Sequence, residues 1–451
     1  MIRARIAPLA APAYLFLALL LGGSTRGIWG NMALQLLAIA LLAWAVLSPA
    51  REPWPHQARP LVLVAVAGLL LILLQLVPVP PALWSGLPGR GGVAEGYTLL
   101  GAPLPWLPLS LNPYGSLASS LALLPPIAVA AVLLTKPQRE SWLAAALLAG
   151  ACLGVGLGAL QTASAGPGKS DLFLYEITNG GSVGFFANRN HMGTLLLASL
   201  PFAFALLGGA LQAREKDRSA GSSVFLGAIV LLLLAGIVLN GSTAVLLLGP
   251  PVLGFSLLLL PMPRRWRRNL AVAALLLLIV SAVALSSLPR GGAETDGDVS
   301  LQSRLQLWSA SAPLAGDFLP LGSGLGSFEH AFHLYENPAE TTRTYVNHAH
   351  NDYLELLIEI GVAGTLLIIA FLACWSRLAF RLWRSPGASR LARAATIVSA
   401  AVLVQSLVDY PLRTAAIASL LGLCVGLMAR PAGRGDKGHQ GAGRPRHVVI
   451  G

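Results

Sequence analysis

Apolar runs of about the length of a membrane span recur along the whole chain of 451 residues. A transmembrane helix needs roughly 20 predominantly apolar residues. Hydrophobic residues make up 55% of the chain and charged residues only 11%, whereas soluble domains carry about 25% charged residues. The sequence therefore predicts an all-α polytopic membrane protein with about twelve transmembrane helices. The predicted spans are 8–23, 32–48, 60–77, 116–135, 142–162, 191–211, 223–240, 242–261, 269–288, 355–376, 393–409 and 411–429.

Basic residues lie mainly in alternate connections between these spans. The chain has 31 Lys and Arg against 19 Asp and Glu, a net charge of +12. Such a surplus could indicate nucleic-acid binding, but alternate placement is what the positive-inside rule requires of cytoplasmic loops. We therefore expect both termini in the cytoplasm, membrane lipids as neighbours and no nucleic-acid partner.

The predicted spans divide the chain into four parts. We expect spans 1–9 over residues 1–288, a large outer loop over 289–354, spans 10–12 over 355–429, and a basic, disordered cytoplasmic tail over 430–451. Tryptophan favours the membrane interface, so Trp84 and Trp106, in the outer connection between spans 3 and 4, are predicted to be interfacial anchors. Prolines are predicted to kink two spans, at Pro125-Pro126 and Pro250-Pro251.

The stretch "NHAHNDYLELLIEIGVAG" (347–364) gathers polar residues directly before an apolar helix. Asp352 and Glu355 have the spacing of a capping box, with Asp352 at the N-cap. Capping gives Asp352 and Glu355 a structural role, whereas His348, His350 and Asn351 lie just outside the helix start and have no such role. Because the unperturbed pKa of histidine, about 6.5, suits proton transfer near neutrality, these residues are candidates for catalysis.

The stretch "GSVGFFANRNHMGTLLLASLPF" (181–202) leads into the sixth span. Asn190 is predicted to cap the helix, and Arg189 could point at an anion at the helix N-terminus, where backbone amides favour negative charge. The alternative is a capped span with an arginine that reaches for the interface.

The outer loop contains "SLQSRLQLWSASAPLAGDFLPLGSGLGSFEHAFHLY" (300–335). Arg304 and Trp308 are four residues apart and would share one face of a helix. Gly324 and Gly326, with the preceding Gly322, would let the backbone approach a phosphate closely. A glycine-rich turn without a ligand is the alternative.

The stretch "QSLVDYPLRTAAI" (405–417) places Asp409 and Arg413 in the turn between the last two spans. Because the two side chains are only four residues apart in a short turn, the expected structure is a local ion pair between them. No catalytic role is predicted for either residue.

Two patterns could imitate metal sites. An Asp-x-Asp lies in "ETDGD" (294–298), but its flanks indicate a solvated loop rather than a sugar-nucleotide site. Zinc sites need three or four converging ligands, and the HExxH pattern is absent from the sequence. No metal or other cofactor is therefore predicted, although histidines occur in pairs at His330 and His333, and at His348 and His350.

Taken together, these motifs resemble the O-antigen ligase and O-antigen polymerase family of bacterial envelope glycosyltransferases. The resemblance is carried by "FFANRNHMGTLLLASLPF", "SRLQLWSASAPLAGDFLPLGSGLGSF", "HAHNDYLELLIEIGVAG" and "SLVDYPLRTAAIASLLGLCVGLM", and covers about residues 180 to 430. One departure is that many relatives carry a Ser-Arg pair near the eighth span, where this chain has Ser242 and Thr243 but no arginine.

The resemblance implies an inner-membrane transferase that moves a glycan from undecaprenyl diphosphate to an acceptor hydroxyl at the periplasmic face. The acceptor would be lipid A-core for a ligase, or a second carrier-linked repeat unit for an O-antigen or exopolysaccharide polymerase; relatives also glycosylate proteins. His350 falls at the catalytic histidine of the family, and Arg304 and Arg189 fall at its diphosphate-binding arginines. Substrate contacts are expected from Asn190, His348, Asn351, Gly324 and Gly326.

The chemistry of these residue types agrees with that activity. A diphosphate is a good leaving group, so the site needs positive charge at the phosphates and a base at the acceptor hydroxyl. Direct displacement would invert the anomeric centre and needs no metal. A transporter or flippase for the same lipid-linked glycan, and a metal-dependent hydrolase, are the alternatives. The choice between polymerase and ligase stays open, with a slight preference for polymerase.

Overall fold

The computed structural model describes residues 7–48, 53–164, 171–177, 181–214, 220–287, 301–336 and 346–430. This part of the chain is largely helical. The α-helices are α1 (Ala10–Leu21), α2 (Ile28–Leu47), α3 (Arg59–Gln75), α4 (Pro81–Trp84), α5 (Gly91–Leu99), α6 (Pro113–Ala122), α7 (Leu124–Thr135), α8 (Glu140–Ala163), α9 (Arg189–Arg214), α10 (Ala220–Asn240), α11 (Thr243–Leu257), α12 (Arg264–Ser287), α13 (Leu301–Phe318), α14 (Phe328–His333), α15 (Asp352–Arg384), α16 (Arg390–Gln405) and α17 (Ala415–Ala429).

Short elements complete the described fold. Single 3-10 turns occur at Ala7–Leu9, His56–Ala58 and Pro411–Arg413. Strands β1 (Pro78–Val79) and β2 (Leu107–Pro108) form an antiparallel pair that closes the connection between α3 and α6. The "ETDGD" stretch and the tail from residue 431 onward, on which predictions were also made, lie outside the described residues.

Seven helical segments in the described part of the chain are long and apolar enough to cross a membrane. Their outward faces carry large exposed hydrophobic side chains, such as those of Leu36, Leu63 and Leu231, which suits a lipid environment better than water. The prediction of a helical membrane protein is therefore confirmed. The seven segments are Ile28–Leu47, His56–Gln75, Pro113–Thr135, Glu140–Ala163, Arg189–Ala213, Ala220–Asn240 and Asp352–Arg384, and shorter apolar helices lie at Ala7–Leu21, Thr243–Leu257 and Ala415–Ala429.

Helix α9 lies at the centre of the bundle. It packs against α8, α10, α11 and α16, and Leu195, Leu196 and Phe202 on it are fully buried. Small residues allow neighbouring helices to approach closely, as is usual between helices in membranes. At Gly422 of α17, for example, a Cβ atom would collide with the backbone of Pro126 in α7.

The two proline pairs act differently. Pro125 lies in the first turn of α7, and the predicted fourth span is divided into α6 and α7 at Leu123. Proline is tolerated in a first turn because the amide that it lacks has no helical partner there. Pro250 and Pro251, by contrast, lie inside α11, which continues through them.

The connection between α3 and α6 corrects one prediction. Trp84 is fully buried, and its indole Nε1 donates a hydrogen bond of 2.9 Å to the Pro105 carbonyl. The ring is therefore part of the protein interior rather than an interfacial anchor. Trp106 is largely exposed, as an anchor at the membrane surface requires.

Helix α15 is interrupted at Gly361, whose φ of 65° is outside the helical region. The glycine-rich turn after α13 fills this interruption. The Val362 amide donates to the Pro320 carbonyl, and the amides of Ser323 and Gly324 donate to carbonyls of Ile358 and Glu359 at 2.9 and 2.8 Å. The backbone groups that the interruption frees are thus satisfied by this turn.

Candidate active site

His350 lies in the segment that enters α15, with a backbone φ of 49°. Positive φ values are uncommon for residues other than glycine, although histidine is among those that adopt them more often. The imidazole Nδ1 lies 3.3 Å from Oδ1 of Asp409. Since Nδ1 faces the carboxylate, Nε2 is the ring nitrogen left to meet a substrate.

The backbone next to His350 is held from two helices. Trp308 of α13 donates from Nε1 to the Ala349 carbonyl at 2.9 Å, and the Ala349 amide donates to Oε2 of Glu355 at 2.9 Å. The other carboxylate oxygen of Glu355 lies 2.9 Å from Nδ1 of His348. These contacts fix the segment that carries His350 on both sides.

The predicted capping box at the start of α15 is wrong by one residue. The N-cap is Asn351, whose Oδ1 accepts hydrogen bonds from the amides of Tyr353 and Leu354 at 3.0 and 3.1 Å. Asp352 is already inside the helix, and Glu355 binds the histidine segment instead of capping. Asn351, predicted to bind substrate, has a structural role in this geometry.

Asp409 is completely buried in the turn between α16 and α17. Its Oδ1 lies near two histidines, His350 at 3.3 Å and His191 of α9 at 4.0 Å. The predicted local ion pair with Arg413 is wrong, because the Arg413 guanidinium contacts carboxylates of α15 while Asp409 faces the histidines. The turn thus divides its two charged side chains between two different clusters.

The pKa of Asp409 lies below its ordinary range. Burial raises this pKa, but a hydrogen bond from His350, the contact with His191 and the nearby charge of Arg304 lower it more. Asp409 is therefore a carboxylate at neutral pH, and this carboxylate faces Nδ1 of His350.

The ring of Tyr410 lies among three histidines. Ring centroids are 4.2 Å away for His348, 4.9 Å for His350 and 5.0 Å for His191. Burial and the charge of Asp409 raise the pKa of Tyr410 above its ordinary value. The phenol therefore stays neutral, and its ring contacts all three histidine rings.

Arg304 is brought to the same place by α13, which forms over the predicted helical stretch. Its side chain is buried, and its Nε has no hydrogen-bond partner among the described residues. Its charge is close enough to lower the pKa of Asp409. As predicted, Arg304 and Trp308 are one turn apart, so a single helix supplies a buried cation and the contact to Ala349.

Arg189 begins α9 and is half-buried. The backbone around it is held by α10, because Asn240 donates from Nδ2 to the Arg189 carbonyl at 2.9 Å. The predicted cap at Asn190 is wrong: Asn188 accepts the hydrogen bond of the Asn190 amide at 2.8 Å, while Oδ1 of Asn190 accepts from the Ser242 hydroxyl at 2.7 Å.

Gly324 and Gly326 pack against protein. Their φ values are 108° and 76°, and a Cβ atom would collide with Ser110 at Gly324 and with the Gly115 carbonyl at Gly326. Positive φ and lack of space both require glycine here. The close backbone approach that the sequence suggested for a phosphate is made instead by the chain itself.

All these groups lie at one end of the bundle. The N-termini of α9, α15 and α17 meet there with the C-termini of α10 and α16. Sequence reasoning predicted His350, Arg304 and Arg189, but it gave no role to His191 and only a local ion pair to Asp409. One signal was available, since a carboxylate at the end of an apolar run is costly unless it has partners.

The arrangement places the half-buried His350 and the buried Asp409 in contact beside the buried Arg304. Comparison with known proteins agrees with the motifs that these residues belong to. Residues 228–369 match the family model described as O-antigen ligase, a stretch that includes Arg304 and His350. No curated protein matches the chain. The predicted resemblance to the O-antigen ligase family is confirmed by this match over residues 228–369.

Proposed function

We propose that the protein is a glycosyltransferase that moves a glycan from undecaprenyl diphosphate to an acceptor hydroxyl. The observation that carries this proposal is the His350–Asp409 pair with the buried Arg304 beside it. An O-antigen ligase domain implies glycan transfer and a lipid-linked substrate in general terms.

The proposed membrane arrangement has twelve spans and both termini in the cytoplasm of the inner membrane. Supporting this orientation, the site lies at the N-terminal end of α9 and α15, whereas arginines cluster at the opposite ends of the bundle, at Arg264–Arg268, Arg381, Arg384 and Arg390. Under the positive-inside rule, this distribution supports a site at the periplasmic face, and we propose that the catalytic elements of the loop 289–354 lie there too.

In the proposed reaction, Nε2 of His350 accepts the proton of the acceptor hydroxyl. The acceptor oxygen forms a bond to the anomeric carbon while the bond from that carbon to the diphosphate oxygen breaks, and undecaprenyl diphosphate leaves with the electron pair. Asp409 stabilises the imidazolium that forms, because its carboxylate lies at Nδ1. One displacement of this kind inverts the anomeric centre.

Arg304 and Arg189 are the proposed diphosphate contacts. A guanidinium can hold two phosphate oxygens at once, and a buried one gains more from this than an exposed one. The Nε of Arg304 is buried without a hydrogen-bond partner in the described structure, so an anion would satisfy it. With two arginines at the leaving group, the reaction needs no metal.

In this proposal, His348 and Asn190 form hydrogen bonds to neighbouring side chains and do not contact the substrate. His348 is bound to Glu355, and Oδ1 of Asn190 is occupied by Ser242. We assign Asn351, Gly324 and Gly326 to holding α15 and the glycine-rich turn in place. The proposed direct contacts are therefore fewer than the sequence suggested.

A flippase for the same lipid-linked glycan is the second candidate, and the interruption of α15 at Gly361 favours it, because transporters commonly contain broken helices. In transporters the freed backbone lines a binding cavity. Here the glycine-rich turn occupies those backbone groups. We therefore prefer the transferase.

The two candidates differ in whether the carrier lipid is cleaved. The protein is reconstituted in liposomes with a glycan linked to undecaprenyl diphosphate and a glycan acceptor, and the lipids are analysed by mass spectrometry. A transferase releases free undecaprenyl diphosphate and extends the acceptor. Translocation of intact glycan-lipid without release would refute the proposal.

The acceptor can be identified in a deletion strain. Envelope polysaccharide is separated on a gel, and carrier-linked glycan is extracted in parallel. Loss of chain extension, with single repeat units remaining, indicates a polymerase. Full-length chains that stay on the carrier, with bare core lipopolysaccharide, indicate a ligase.

A further inference from the structure

Arg413 lies four residues after Asp409, in the turn between α16 and α17, and reaches across to α15. Its guanidinium lies 2.8 Å from Glu359, 3.2 Å from Glu355 and 3.7 Å from Asp352. Spacings of three and four residues put these carboxylates on one face of the helix. All three are buried, as is most of the Arg413 side chain.

Two of these carboxylates hold parts of the active site. Glu355 binds the Ala349 amide and His348, directly before His350. Glu359 accepts hydrogen bonds from the amides of Gly326 and Phe328, at 2.9 and 3.3 Å, in the turn that follows α13. One guanidinium therefore joins the histidine segment and the glycine-rich turn to the turn that carries Asp409.

Arg413 is suited to this position by its charge and its shape. Burial lowers its pKa, but the three carboxylates raise it more, so the pKa lies above its ordinary value and the group stays charged. The planar fork of arginine can bind two carboxylates simultaneously, which the ammonium of lysine does less well. Without this cation, the three buried carboxyl groups on one helix face would lose the ion-pair partner that they share.

His350 and Asp409 belong to different elements, and their 3.3 Å contact depends on how the turn lies against α15. Arg413 makes the ion pairs that bridge these two elements next to that contact. We propose that Arg413 is a positioning residue that keeps Asp409 and His350 at their working distance. This inference rests on the proposed role of His350 and Asp409 in transfer.

A structural role alone would predict a different pattern of kinetics. If Arg413 only stabilises the fold, its substitution lowers the amount of folded enzyme but not the rate per folded molecule. If it acts through the His350–Asp409 pair, its effect depends on that pair being present. Strong non-additivity between two substitutions is the expected sign of such coupling.

The test uses Arg413→Lys, which keeps the charge and so favours folding, and Arg413→Gln, which does not. Transfer is measured per folded molecule, with kcat and the KM for the donor determined separately. We expect about a tenfold lower kcat for Arg413→Lys and a larger loss for Arg413→Gln, with donor KM changed less than about threefold. In an Asp409→Asn background, Arg413→Lys should change kcat by less than about twofold.

The matched control is Arg430→Gln. Arg430 is also buried and pairs with a carboxylate, lying 3.9 Å from Glu140, but at the opposite end of α17. The Arg430→Gln substitution should lower thermal stability and leave kcat per folded molecule unchanged. Equal effects of Arg413→Lys in the wild-type and Asp409→Asn backgrounds, or a wild-type kcat for Arg413→Lys, would overturn the positioning role. Full activity of His350→Ala would instead contradict the proposed function.

Discussion

Replacing Asp409 by asparagine removes one charge from the centre of the site and keeps the side-chain shape. The carboxylate is fully buried and lies 3.3 Å from Nδ1 of His350. A hydrogen bond to a charged group contributes about 1.5–3 kcal/mol, and about 1.36 kcal/mol corresponds to a tenfold change in rate. We therefore expect kcat to fall roughly 10- to 150-fold.

The loss should appear in kcat rather than in the KM for the donor. The imidazolium that Asp409 stabilises forms only as the acceptor hydroxyl loses its proton, so the interaction is strongest in the transition state. Release of undecaprenyl diphosphate in liposomes, normalised to folded protein, measures the rate. Asp317→Asn is the control, because Asp317 is exposed near the C-terminus of α13, where its Oδ2 accepts a hydrogen bond from the Tyr335 hydroxyl.

A rate for Asp409→Asn within about threefold of the wild-type rate would refute this reasoning.

The pH dependence of thermal stability gives a second test of the Asp409 carboxylate. Because the folded pKa of Asp409 lies below its ordinary value of about 3.9, its stabilising effect is present above that value and is lost as pH falls through the folded pKa. The difference in melting temperature between wild type and Asp409→Asn should therefore narrow below about pH 4.

Three further substitutions or treatments test the account. Gly324→Ala should lower the melting temperature and the transfer rate, because Gly324 has a positive φ and a Cβ atom there would collide with Ser110. The control is Gly316→Ala, at a helical position with open space. This substitution should stabilise the fold by about 0.5–1 kcal/mol. Trp308→Phe removes the hydrogen bond to the Ala349 carbonyl and should lower kcat roughly two- to tenfold, since such a bond contributes about 0.5–1.5 kcal/mol; an unchanged kcat would contradict the role of that contact. Treatment with a chelator should leave the transfer rate unchanged, and a loss of activity that added divalent metal restores would favour a metal-dependent reaction.

The helices could be predicted because each apolar run must satisfy its own backbone in a membrane. A described helix occupies each of the predicted stretches, including Arg189–Arg214 and Asp352–Arg384. The interruption of α15 could not be predicted, because Gly361 packs against the turn around Pro320, which lies 41 residues earlier in the sequence. Local pattern carries no information about such a partner.

The site residues that could be predicted, His350, Arg304 and Arg189, belong to polar motifs that lie beside apolar runs. Asp409 was missed because its proximity to Arg413 in the sequence favoured a local pair, whereas packing of the turn against α15 separates their partners. The N-cap of α15 was predicted one residue too late for a similar reason. Asn351 and Asp352 are both good N-cap residues. The sequence alone does not show which of them caps α15, whereas the structure shows Asn351 at the N-cap.

The release of undecaprenyl diphosphate by His350→Ala tests the central claim most directly. His330→Ala is the control, because His330 is an exposed histidine of α14 that bonds Asn112. With equal amounts of folded protein in liposomes, donor and acceptor present, we predict wild-type release by His330→Ala and a loss of about a hundredfold or more by His350→Ala, the scale of a general base. Release by His350→Ala at the wild-type rate would contradict His350 as the base.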